Sequence, residues 1–171
     1  MKIRVEEVFP DTAEWAALGP VVNEAQPGSG AVRGGPPWEL WLSWHVLAAY
    51  LPDQAEPVGF LRYVVQPIGP DAECESVVLA DAKLTEAKIL DFGVLTAWRR
   101  NGVGTALQLA AIEGARAAGC WQVRSHSSGS ARANHQLKLR LGFAAHPIVR
   151  EEPDGTDRAG CYFVLPLQGP R

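Results

Sequence analysis

The chain has 171 residues, 47% of them hydrophobic, which fits one ordinary domain spanning residues 1–171 with a buried core and argues against disorder. Sixteen Lys and Arg against nineteen Asp and Glu leave a formal net charge of -3, so no overall positive field exists to attract nucleic acid or an anionic membrane. Any bound anion must be held locally.

The N-terminus, "MKIRVEEVFPD", alternates polar and apolar residues without the apolar core of a leader, and nothing elsewhere reaches the roughly 20 apolar residues of a membrane span, so a cytoplasmic location is expected. Cys74, Cys120 and Cys161 are odd in number and contain no C-x-x-C pair. They read as reduced thiols with no metal site among them, Cys120 and Cys161 as small core residues beside aromatics.

Residues 2 to 9 place Ile3, Val5 and Val8 among charged neighbours, which predicts a first strand. Asp11 and Thr12 suit the start of a helix running to about Ala25, with Trp15, Leu18 and Val22 on one face. "QPGSGAVRGGPP", Gln26 to Pro37, is too rich in Gly and Pro for a regular element. From Trp38, two apolar runs flank the turn-forming "PDQAEP", the pattern of a hairpin. Trp38, Trp41 and Trp44 also recur at helical spacing, so a helix leading into the first of those strands stays open. After the polar "PDAECES", Leu84, Ala87, Ile89 and Phe92 to Leu95 of "AKLTEAKILDFGVL" predict a strand buried at its far end. Val103, Leu107, Ala110, Ala111, Gly114 and Ala118 then share a helical face, and Gly119 stands where a left-handed residue ends a helix. "CWQVRSHS" reads as a strand, "ARANHQLKLRL" as a short helix, and "FAAHPIV" and "GCYFVLPL" as two strands around "EEPDGTD". The sum is a mixed α/β domain whose segment from Lys83 to Ser128 is a crossover between parallel strands inside an otherwise antiparallel sheet.

Between two of these elements lies "WRRNGVGTALQLAA", Trp98 to Ala111. A helix N-terminus leaves unpaired N–H groups and a partial positive charge, and Gly102 and Gly104 remove the side chains that would cover them. Thr105 adds a hydroxyl; Arg99 and Arg100 add charge. Taken alone, the glycines require no more than a turn and close packing. A Walker loop needs a Gly-Lys pair, which the chain lacks, and a dinucleotide fingerprint needs a third glycine where Leu107 stands.

What remains, Arg99-x-x-Gly102-x-Gly104 after a buried strand and before a long helix, resembles the acyl-CoA signature of the GNAT family of N-acetyltransferases. "FGVLTAWRR" is similar to the family's fourth strand and the turn after it, and "LRLGF", Leu139 to Phe143, to the close of its fourth helix. "QVRSHSSGSARANHQLKLRLGF" is similar to a bacterial branch of the family. The resemblance implies a GNAT-like mixed sheet of six to seven strands, mostly antiparallel with a central parallel pair, and helices on both faces. It implies acetyl-CoA as cosubstrate, no metal, and an amine-bearing small molecule or protein as acceptor, handled by a monomer or homodimer without nucleic acid or membrane. The backbone from Arg100 through Asn101, Gly102, Val103 and Gly104 to Thr105 would cradle the pyrophosphate, with Arg99 beside it. Val94, Leu95 and Thr96 would pair with the pantetheine arm, and Ser127 and Asn134 would contact it or the thiolate.

Acyl transfer to an amine needs the amine neutral and a proton for the departing thiolate. The family commonly places a tyrosine four residues before the terminal Gly-Phe of that helix; here the position is Lys138. His126 is the first choice for moving protons, since an imidazole titrates near neutrality. Asp91 and Glu86 rank next, as strand carboxylates expected to be solvated; His135 could serve instead of His126, and Ser128 joins Ser127 and Asn134 as a contact for the pantetheine or the thiolate. His45 and His146 have no ligand spacing, and Cys74 sits among acids that would raise its pKa. Loss of the tyrosine also favours a second reading, an acyl-CoA-binding sensor without catalysis, and the Trp-rich segment a third, a protein interface.

Overall fold

A computed structural model describes residues 2–25, 38–151 and 157–167. The Gly/Pro segment 26–37 and residues 152–156, where a turn is expected, lie outside the described residues.

The chain starts with β1 (Arg4–Glu7) and α1 (Ala13–Ala25). Thr12 caps α1: its Oγ1 accepts the Trp15 N–H at 3.2 Å and donates to the Phe9 carbonyl at 2.8 Å. The tryptophan repeat resolves into a single 3-10 turn, Trp38–Leu40, before β2 (Ser43–Tyr50), so the hairpin prevails over the helix. The reason is pairing: β2 runs antiparallel both to β1 and to β3 (Gly59–Pro67). A 3-10 turn at Pro70–Ala72 lies in the polar loop, and a minor hairpin of β4 (Val78–Leu79) and β5 (Ala82–Lys83) follows it.

Next come β6 (Thr85–Val94), α2 (Val103–Ala117), β7 (Gln122–Ser128), α3 (Arg132–Arg140), β8 (Ala144–Glu151) and β9 (Asp157–Pro166). Gly119 takes the expected left-handed conformation after α2, with φ of 72°. The main sheet has seven strands in the order β1-β2-β3-β6-β7-β9-β8, with β6 and β7 the parallel pair and the other neighbours antiparallel.

Strand alternation sends side chains to two cores. One packs Leu61, Tyr63, Ala87, Ile89, Val123 and Phe163 against Val103, Leu107, Ala111 and Ala115 of α2. The other packs Val46, Ala48 and Phe60 against Leu18, Val21 and Val22 of α1. Cys120 and Cys161 are buried in the first core, as expected. Among the described residues no helix is long and apolar enough to cross a membrane.

Two expectations for β6 are corrected. Burial is deepest at its near end, at Glu86 and Ala87, rather than at its far end. Glu86 is not solvated at all: its exposure is 0%, because the Pro70–Ala72 turn brings Asp71 over it and β7 brings Arg124 beside it.

Candidate functional site

The site begins with a fault in the sheet. β6 and β7 pair from Glu86↔Gln122 to Ile89↔Ser125. Beyond that point β6 stays with β3 as far as Val94, while β7 stays with β9 as far as Ser128. The two strands therefore part. A bulge marks the place: Arg62 faces Asp91 and Tyr63 faces Ile89, leaving Leu90 as the extra residue of β6. The bulge also shifts the alternation, so Ala87 and Ile89 before it and Phe92 and Val94 after it all pack on the α2 side.

The parting opens a cleft of about 940 Å³ between the end of β6, the start of α2 and one side of α3. Such a volume suits a sizeable small-molecule ligand. Gly102, with φ of 83°, is the N-cap of α2, and no side chain caps that terminus. The first helical bond returned to the cap is Ala106 N–H to Gly102 C=O at 3.0 Å, which leaves the amides of Val103, Gly104 and Thr105 without intrahelical acceptors. A Cβ on Gly104 would lie 3.4 Å from Leu137 and 3.5 Å from Phe92, inside the cleft mouth and in ordinary contact. Arg100 is itself in the left-handed region, φ 67°, a conformation disfavoured for a non-glycine residue and tolerated here to bring the chain round into the helix.

Of the residues expected at a cofactor, Val94, Arg99, Arg100, Gly102, Gly104, Thr105 and Asn134 line the cleft. Arg99 donates through Nε to the Val94 carbonyl at 3.0 Å, covering part of the strand end. Asn101 closes the turn instead, its Nδ2 donating to the Arg99 carbonyl at 3.2 Å. The side chain of Val103 is core. The amides of Leu95 and Thr96 are already committed, to the Val58 carbonyl at 3.0 Å and to the Glu24 carboxylate at 2.9 Å. Ser127 is buried and accepts from Asn134 Nδ2 at 3.0 Å.

Sequence reasoning missed Arg132 and Arg140, which reach the cleft from α3 together with Gln136. Their i, i+4, i+8 spacing was the available signal. With Arg99 and Arg100 they make four arginines among the described lining residues and no carboxylate, in a chain of net charge -3. This is the local anion field that composition required.

The proposed proton carriers lie on the sheet face turned away from α2. Glu86 is held by Arg124, with Nε at 3.0 and 2.9 Å from its two oxygens and Nη2 at 2.6 Å, and by Gln66 and Gln122 at 3.1 and 2.9 Å. Asp71 joins through Arg124 and through Lys88 at 2.7 Å, and those two cations hold its carboxyl below the ordinary value against the opposing effect of burial. Asp91 pairs with Arg62, yet burial outweighs that pairing and raises its carboxyl. His126 is exposed on the separated part of β7, its ring edge-on to Tyr162 at 5.2 Å. His135 instead bonds the Ser128 carbonyl at 2.9 Å, and the Ser128 hydroxyl meets that of Ser130 at 3.0 Å.

The sequence matches the family described as "Acetyltransferase (GNAT) family" over residues 20–143, well over half the chain. Compared by sequence with curated proteins, the chain finds no significant match. Among solved structures it resembles Arabidopsis thaliana NAA60 in complex with acetyl-CoA, at 18% identity and a TM-score of 0.74, covering 98% of this chain and 100% of that one. It also resembles the ribosomal-protein-S18-alanine N-acetyltransferase of Escherichia coli, at 16% identity and a TM-score of 0.63, over 99% and 97% of the two chains. A GNAT-family acetyltransferase of Streptococcus pneumoniae superposes with a TM-score of 0.68 at 15% identity, over 98% of this chain and 100% of that one. The parted parallel strands and the uncapped glycine start of α2 thus fall within a matching family assignment, and this chain belongs to the GNAT family of acetyltransferases.

Proposed function

We propose that the protein transfers an acetyl group from acetyl-CoA directly to a primary amine. The observation that carries this reading is the cleft: a helix start with three free amides and four arginines beside it, opening onto strands that part. A pyrophosphate is the anion that fits such a start, since backbone N–H groups and the helix dipole both favour it. The residues assigned to it are Arg99, Arg100, Gly102, Gly104 and Thr105, with the amide of Val103 and with Arg132 and Arg140 at the rim. The pantetheine arm would lie along Phe92 and Val94 of β6, as a peptide adds to a strand edge, with Asn134 opposite.

In the transfer the acceptor nitrogen bonds to the thioester carbon, the C–S bond breaks with its electrons on sulfur, and the nitrogen loses a proton. His126, exposed where β7 has left β6, is the group assigned to take that proton. Asp91 stands on the neighbouring strand as an alternative acceptor. Glu86 is assigned to the frame, because every direction around its carboxylate is already taken by a cation or an amide. A cytosolic home agrees with the three free thiols.

The test is titration of acetyl-CoA by calorimetry together with release of free CoA in the presence of a panel of amines. Binding with turnover of at least one amine supports the reading. Turnover of a His126→Ala variant is expected to fall at least tenfold with acetyl-CoA affinity unchanged. No acetyl-CoA binding at millimolar concentration would remove the assignment.

A further inference from the structure

Lys138, on α3, is fully buried, with an exposure of 0%. Its ammonium donates to Ser125 Oγ at 2.5 Å and lies 5.1 Å from the centre of the Phe163 ring. Among the described residues no carboxylate pairs with it. The groups facing it are Cys161 and Phe163 from β9 and the Ser125 hydroxyl from β7; Ser127 is taken up by Asn134, and His135, on the same helix, is turned to the Ser128 carbonyl. Arg124 and His126 alternate to the opposite face of β7. A buried ammonium with a single neutral partner is costly, and a fold that keeps one just behind a cleft, one turn from the lining residue Asn134, is a candidate for chemistry.

Position gives that candidate a task. Ser125 is the last β7 residue paired with β6, so the Ser125–Lys138 couple stands at the closed end of the parting. One turn earlier on α3, Asn134 lines the cleft and bonds Ser127, the next residue of β7 on the same face. The inner side of α3 therefore leads from the cleft to Ser125.

We propose that Lys138, acting through the Ser125 hydroxyl, is the proton source for the thiolate that leaves during acetyl transfer. The proposal rests on the acetyl-CoA reading above. When the C–S bond breaks and its electron pair stays on sulfur, the Ser125 Oγ–H proton passes to sulfur as a Lys138 Nζ–H proton passes to Ser125 Oγ. Lys138 is left as a neutral amine and regains a proton from water after the products leave. Ser125 is the group that meets the sulfur; Lys138 positions and recharges it. Burial lowers Lys138 to about 8, with the nearby Cys161 opposing the shift, so its proton is transferable close to neutrality. An acid of this kind is competent below about pH 8 and spent above it.

The experiment uses the full chain, acetyl-CoA and an amine from the panel that turns over, with rates measured from pH 6 to 10 alongside acetyl-CoA calorimetry. For the wild type the rate should decline on the alkaline side with a midpoint near 8. Lys138→Met should lose about 100-fold in turnover while acetyl-CoA affinity changes less than threefold. Lys138→Tyr should recover part of the rate, with the alkaline midpoint moved up towards 10, the ordinary range of a phenol. Ser125→Ala should resemble Lys138→Met. An alkaline midpoint that is the same in the wild type and Lys138→Tyr, or Lys138→Met and Ser125→Ala turnover within threefold of the wild type, overturns the proposal. A wild type that binds and turns over acetyl-CoA beside such unaffected variants sinks the proposal alone; one that binds no acetyl-CoA sinks the underlying reading with it. Should Lys138→Met not fold, Lys138→Tyr and Ser125→Ala carry the same test.

Discussion

The two faces of β7 handle buried charge in opposite ways. On the face away from α2, Arg124 meets Glu86 and Asp71, Glu86 also receives Gln66 and Gln122, and Asp71 also receives Lys88. On the α2 and α3 face, one residue along, Lys138 meets a serine hydroxyl and an aromatic ring. The Glu86 carboxylate has partners on both oxygens, whereas the Lys138 ammonium has one hydroxyl. A carboxylate whose positions are all filled holds β6, β7 and the Pro70–Ala72 turn together, whereas an ammonium lacking a counter-ion keeps a proton that can leave. Counting partners, rather than reading residue types, separates frame from chemistry here.

The largest effect expected from this contrast is on stability. Glu86→Ala leaves the half-buried Arg124 with Asp71 as its one carboxylate and takes the acceptor from Gln66 and Gln122, and should cost roughly 3 kcal/mol in urea unfolding. A loss under about 1 kcal/mol would show that the network is not a frame. The opposite sign is expected across the strand: Lys138→Met should stabilise the fold by about 2 kcal/mol at pH 7, since it removes an uncompensated buried cation. The pH dependence sharpens that expectation. Lys138 is lowered in the fold to about 8 from an ordinary 10.5, so between those values the unfolded chain binds more protons. Its contribution to stability therefore rises with pH from about 8 to 10.5, and the cost of its charge is complete below about 8. Unfolding free energies measured across this window should lose that rise in Lys138→Met, and an identical slope in both proteins would count against it. The smallest effect is that of Asn134→Ala, which removes the bond to Ser127 and should cost about 1 kcal/mol while loosening α3 against the separated part of β7. Faster hydrogen exchange at Ser127 and Ser128 than at Val123 would report that loosening; uniform exchange along β7 would not fit it.

Most elements were legible because their signals are local. The "PDQAEP" turn between apolar runs announces β2 and β3, Gly119 announces the end of α2, and Thr12 the start of α1. The tryptophan repeat misled only for one turn, because pairing on both edges of β2 outweighs a helical spacing of three side chains. The glycine start of α2 was also readable, along with Arg99 and Arg100. The shape of the cleft was not: it depends on the extra residue Leu90, and a single bulge leaves no periodicity to read. Nor was the state of Glu86, since a strand carboxylate looks solvated until Asp71, 53 positions from Arg124 along the chain, is seen to share its guanidinium. Lys138 stood out by sequence only as a departure from a tyrosine and favoured a domain without catalysis. Its burial against Ser125 gives the departure a chemical use.

The central claim is that the start of α2 holds the pyrophosphate of acetyl-CoA. Gly104→Glu tests it most directly, because a side chain there meets Leu137 and Phe92 at ordinary contact distances and carries a negative charge into the arginine-lined cleft. The account predicts a folded variant, with a melting temperature within a few degrees of the wild type, whose acetyl-CoA affinity by calorimetry is at least 100-fold weaker, about 2.7 kcal/mol. Unchanged affinity in the folded variant would contradict it.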